Sequence, residues 1–139
     1  MASCYNKDMK EIIKTYFENK KDIVVVYLFG SYAKDKANKY SDVDVAVLLD
    51  ESFPTEKYTD KQIEIAKDLS GLLDKNVDAV VLNRAGSFLK FRVLKEGEII
   101  YESKRRTRDF EACSLIEYFD FLPVKNRIES TLLEKLKQA

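Results

Sequence analysis

The chain has 139 residues, 24 basic and 24 acidic, with no histidine, eight tyrosines and eight phenylalanines. At this length a single domain around one core is expected, without room for a separate substrate domain. An apolar share of 45% argues against disorder despite 35% charged residues. Balanced charge excludes a global field for coating nucleic acid or an anionic membrane, so any anion site must be local. The lack of histidine excludes Ser-His-Asp and Cys-His nucleophiles and the common histidine zinc sites.

Met1 to Lys10 carries no apolar stretch of signal-peptide length. The longest apolar run, Ile23 to Phe29, falls far short of the roughly 20 residues needed to span a bilayer. With Cys4 and Cys113 far apart and no CxxC pair, reduced, inert thiols and a cytoplasmic location are expected.

In chain order, Met9, Ile12, Ile13, Tyr16 and Phe17 recur at helical spacing and predict a first helix over about Asn6 to Asn19. Ile23 to Phe29 is apolar and rich in β-branched residues, as in a central strand buried on both faces, and Gly30 ends it. A second strand is predicted over Val43 to Leu49, then a loop from Ser52 to Thr59. Ile65, Leu69, Leu72 and Leu73 mark an amphipathic helix closed by a turn at Asp74 to Asn76. Val77 to Leu82 reads as a third strand. Ser87 to Lys95 reads as a helix with Gly97 in the capping position, and Glu98 to Tyr101 as an edge strand. Two last helices, Thr107 to Phe119 and Lys125 to Lys137, are predicted to be separated by Pro123. The fold class is α/β (α+β), a small mixed sheet flanked by helices.

The informative stretch is Phe29-Gly30-Ser31-Tyr32-Ala33-Lys34-Asp35, followed by Asp42-Val43-Asp44. A strand that ends in Gly-Ser at a helix start offers backbone N–H groups to a phosphate. Gly30 permits close backbone approach, Ser31 adds a hydroxyl donor, and Lys34 is the best cation nearby for a phosphate. Side chains alternate along a strand, so Asp42 and Asp44 share one face. Two neighbouring carboxylates repel unless a cation lies between them, and hard oxygen ligands suit Mg2+, particularly alongside phosphate oxygens. Asp78 interrupts an otherwise apolar strand. Next to the Asp42/Asp44 strand it would complete a two-metal site and help deprotonate an attacking hydroxyl.

Gly30-Ser31, Asp42-x-Asp44 and a later strand acid, Asp78, together resemble the signature of the DNA polymerase β-like nucleotidyltransferase superfamily. The short chain, Leu94 to Glu102, and the tail from Arg108 to Phe121 resemble its minimal, MNT-type branch. The likeness spans nearly the whole chain and implies a single domain, residues 1–139, with a catalytic core over 1–102 and a helical arm over 103–139. It also implies an enzyme that transfers AMP from ATP to a tyrosine of a partner HEPN-family RNase toxin, as antitoxins of that branch do. By the same likeness, Asp42, Asp44 and Asp78 are catalytic and metal-binding, and Gly30, Ser31 and Lys34 nucleotide-binding. The sequence departs from the family where Ala33-Lys34-Asp35 replaces the usual Ala-Arg-Gly, so the charge is kept without the bidentate fork.

Three rival readings stand beside this one. A small-molecule nucleotidyltransferase would need an extra acceptor domain, an RNA nucleotidyltransferase a basic channel, and a non-catalytic antitoxin would have lost its metal ligands. The basic run Lys104 to Arg108 is by default a solvated face. Phe110, Leu115, Tyr118, Phe119, Phe121 and Leu122 are expected mostly to pack on the sheet, and any patch left exposed would suit a protein interface.

Overall fold

The computed structural model describes residues 2–30, 42–103 and 107–138. Four helices, α1 (Ala2–Glu18), α2 (Tyr58–Leu73), α3 (Ser87–Glu96) and α4 (Thr107–Gln138), surround four strands, β1 (Ile23–Phe29), β2 (Val43–Leu49), β3 (Val77–Val81) and β4 (Glu98–Glu102). The sheet order is β3-β2-β1-β4. β1 pairs antiparallel with β2 and β4, and β2 pairs parallel with β3. This is the mixed α/β class expected from the sequence.

The apolar run of β1 is explained by its central place, since all seven of its residues are buried. One sheet face, with Leu28, Val43, Val45 and Val47, packs against Met9, Ile13 and Phe17 of α1 and Ile65 and Leu69 of α2. The other face, with Tyr27, Phe29, Ala46 and Leu48, is covered by Leu82 and by Val93 of α3, with Leu89 and Phe110 at its margin. A register irregularity between Ile23 and Val25 breaks the alternation and sends both Val24 and Val25 to this second face. The burial of α1 is narrower than its periodicity: Ile12 is exposed. Tyr16 is held half-buried by donating a hydrogen bond to Asp68 Oδ2 at 2.7 Å.

Turns are set by specific atoms. Asp74 closes α2 in the left-handed region at φ 52°. Beyond β3, a one-turn helix (Leu82–Arg84) carries Asn83, whose side-chain amide accepts from Leu49 N–H and donates to Leu49 C=O, both at 2.8 Å. That pair of bonds mimics a strand partner for the last residue of β2.

The expected break at Pro123 is corrected: α4 is one helix of 32 residues with Pro123 inside it. Proline forfeits the bond to the carbonyl four residues back. Phe119 and Pro123 both lie on the exposed side of the helix, where water can solvate the carbonyl left without a partner. The arm also packs on the sheet less than expected. Phe110 reaches the sheet cluster and Tyr118 stacks on Phe91 of α3 with ring centroids 3.7 Å apart. Leu115, Ile116 and Phe119 face solvent. Tyr27 of β1 donates to Glu111 Oε1 at 2.9 Å and ties the start of α4 to the sheet. No helix among the described residues is long and apolar enough to cross a membrane.

Candidate active site

The carboxylates meet because of strand register. Asp44 stands opposite Phe29 on one side and opposite Asp78 on the other. Asp42 immediately precedes β2, and the adjoining Val43 N–H is fixed to Asn76 C=O at 2.9 Å. Residues two apart on a strand have Cα atoms roughly 6–7 Å apart, and paired positions on neighbouring strands are roughly 5 Å apart. Both spacings bring like charges within strong mutual influence. Burial, then Asp78, then Asp42 push the Asp44 carboxyl above its ordinary range, and the Arg92 guanidinium opposes them.

Gly30 closes this corner. It ends β1 at φ +78°, a conformation that glycine adopts without strain. A Cβ at this position would overlap Asp44 Oδ2. The sequence suggested that Gly30 lets a phosphate approach; the structure adds that its missing side chain makes room for the Asp44 carboxylate. Ser31 and Lys34 lie outside the described residues.

The cation that the sequence reading overlooked is Arg92. Its placement follows from the path of the chain. β3 ends at Val81, and Asn83 is anchored to Leu49 at the far end of β2. α3 then runs back along the sheet and feeds β4, whose first residue, Glu98, pairs with Leu28 next to Phe29. The last turns of α3 therefore lie at the carboxylate end. Gly97 N–H bonds Val93 C=O at 2.7 Å, and a Cβ on Gly97 would strike that carbonyl, which accounts for glycine here without a positive φ. Val93 and Leu89 take the buried side of α3, which leaves Arg92 on the open side, 61% exposed, with Nε 3.4 Å from Glu96 Oε2. A basic residue beside an apolar anchor, Arg92 next to Val93 in the second half of α3, was the available signal.

Among the described residues, no three acidic or cysteine side chains converge closely enough to enclose an ion. The donor set of Asp42, Asp44 and Asp78 nonetheless fits Mg2+ by chemistry, since hard oxygens on one sheet face repel one another until a divalent cation offsets them. A groove of about 890 Å3, lined by Leu48, Ser52, Asn83, Lys90, Phe110 and Cys113 among others, opens instead at the opposite end of β2. Its polar groups are engaged: Asp50 Oδ2 accepts from Ser52 Oγ at 2.5 Å, and Lys90 pairs with Glu117 at 3.2 Å.

Known proteins share the family and the fold. The "Polymerase beta, Nucleotidyltransferase" family model matches residues 11–106. The chain is 29% identical over 108 residues to the protein adenylyltransferase MntA of Shewanella oneidensis, covering 78% of this chain and 75% of the relative. Among solved structures, a toxin-antitoxin crystallised with AMP-PNP superposes with a TM-score of 0.75 at 25% identity, covering 91% of this chain and 98% of the other. The MNT antitoxin in complex with a tri-AMPylated Shewanella oneidensis HEPN toxin shares the fold, with a TM-score of 0.69 at 24% identity over 96% of this chain and 99% of that one.

Proposed function

The chain belongs to the polymerase beta nucleotidyltransferase family, and from that premise we propose that it is an antitoxin-type protein adenylyltransferase of the cytoplasm. In this reading it transfers AMP from Mg-ATP to a tyrosine hydroxyl of a partner HEPN-family toxin and inactivates it. The observation that carries the reading is the register pairing of Asp44 with Asp78, with Asp42 just before the start of β2. Kinship with a Shewanella protein adenylyltransferase supports the reaction type, and likeness to a toxin-antitoxin crystallised with AMP-PNP supports the nucleotide and the partner.

In the reaction, the acceptor oxygen forms a bond to the α-phosphorus of ATP while the bond from that phosphorus to the β-bridging oxygen breaks, releasing pyrophosphate. Asp42, Asp44 and Asp78 would hold Mg2+, which supplies charge neutralisation at the phosphates and lowers the pKa of the attacking hydroxyl. Asp78, the more exposed of the paired acids, receives the hydroxyl proton. The N–H groups following Gly30, with Ser31 and Lys34, bind phosphate oxygens. Residues 1–102 act as the catalytic core, and residues 103–139 form the arm. Its exposed Leu115, Ile116 and Phe119 give the partner an apolar surface.

Co-expression with the candidate toxin followed by intact-mass spectrometry tests the proposal. The toxin is expected to gain one or more AMP units with the wild-type chain and none with Asp78→Ala, which should still co-purify with it. Neutralisation of toxicity without added mass would overturn the enzymatic reading.

A further inference from the structure

We propose that Arg92 is a nucleotide-binding residue that grips the terminal phosphates of the incoming triphosphate, exchanging its contact with Glu96 for the phosphate tail. The inference rests on the nucleotidyltransferase reading above and assigns a residue that the sequence motif does not contain.

Topology supplies the first support. The one-turn helix that leads into α3 is pinned by Asn83 on Leu49, and the strand that follows α3 by the pairing of Glu98 with Leu28, so Arg92 stands toward the carboxylate end of the sheet. Val93 is fully buried in the same cluster as Phe29, the residue opposite Asp44, which fixes the height of α3 above the strands. Arg92 therefore projects from a rigid platform.

Charge supplies the second. Three carboxylates crowd this corner, and an unassisted triphosphate would be repelled. Arg92 is a cation on the helix that covers the Ala46 and Leu48 face of the sheet, the face that alternation assigns to Asp44. It makes no direct ion pair with the aspartates among the described residues; its partner is Glu96, four residues along the same helix. Exposed pairs of this spacing contribute little. A phosphate tail offers the guanidinium two-point hydrogen bonding of greater strength, so the exchange favours the ligand. The long exposed side chain can swing without disturbing packing, because its neighbour Val93 carries the burial. The β- and γ-phosphates form the leaving pyrophosphate, so a cation there also offsets the charge that develops as the bond breaks.

The test compares AMP-PNP and AMP, each with Mg2+, by calorimetric titration on the wild-type chain and on Arg92→Gln, Arg92→Lys and Glu96→Gln. Arg92→Gln is expected to weaken AMP-PNP by roughly ten- to a hundredfold and to leave AMP unchanged, since AMP lacks the terminal phosphates. Arg92→Lys should recover part of the loss, and Glu96→Gln should tighten AMP-PNP by releasing the arginine. Thermal melting of the Arg92 variants should match the wild type because that side chain is exposed. Equal affinity of the wild type and Arg92→Gln for AMP-PNP, or equal loss for both nucleotides, would overturn the assignment while leaving the nucleotidyltransferase reading intact. Absence of AMP-PNP binding by the wild type would overturn both.

Discussion

Gly30 and Asp44 occupy a shared space: the hydrogen that glycine carries in place of a Cβ is what admits the Asp44 carboxylate oxygen at the end of β1. The glycine of the motif thus serves the acid as well as the phosphate. Gly30→Ala is expected to destabilise the fold by about 1–2 kcal/mol from the left-handed backbone alone, with an added cost from the overlap. In the Asp44→Ala background the overlap vanishes, so the same substitution should cost roughly 1 kcal/mol less. Chemical denaturation of the four proteins in this double-mutant cycle measures the coupling. Simple additivity would mean that the two residues do not compete for space.

Asp44→Asn should abolish AMP transfer and raise stability at neutral pH. The Asp44 carboxyl is pushed up by burial, Asp78 and Asp42, so its ionisation costs folding free energy. The sign follows: below the ordinary aspartate range the acid is protonated in both states and the variant gains nothing. As pH rises through that range and the higher native value, the wild type loses stability relative to the variant. Because the side chain is partly exposed, solvent screening keeps the gain small. Melting curves from pH 3 to pH 7 without Mg2+, where these pH limits span roughly the carboxylate range, would show a widening gap.

Asn83→Leu removes both bonds to Leu49 and leaves a strand-end N–H and C=O without their partner. A loss of about 1–3 kcal/mol is expected. Because Asn83 also anchors the start of α3, AMP-PNP affinity should fall modestly in the folded variant. Urea denaturation and nucleotide titration check the two effects separately.

Pro123→Ala restores a backbone donor inside α4 and should slow amide exchange around Phe119 to Arg127. Interior proline costs a helix about 3 kcal/mol relative to alanine, but this site is exposed and local, so global stability should change far less. Hydrogen exchange resolved by residue distinguishes this from a proline that the helix tolerates without strain.

The sequence by itself determined the four strands and the first three helices, because periodicity and β-branched runs encode burial locally. Ile23–Phe29 reads as a doubly buried strand from composition alone, and Asp44 within Val43–Leu49, with Asp42 just before it, has the two-residue spacing of one strand face. It could not determine that β3 lies parallel beside β2. That adjacency, which sets Asp78 against Asp44, depends on α2 crossing from one strand to the other and packing Ile65 and Leu69 on the sheet. Tertiary structure likewise decided that α3 returns to the carboxylate end with Arg92, since a helix's direction is set by what anchors its two ends. It decided, too, that α4 continues through Pro123: the local rule counts one lost hydrogen bond, whereas the fold leaves that carbonyl facing water.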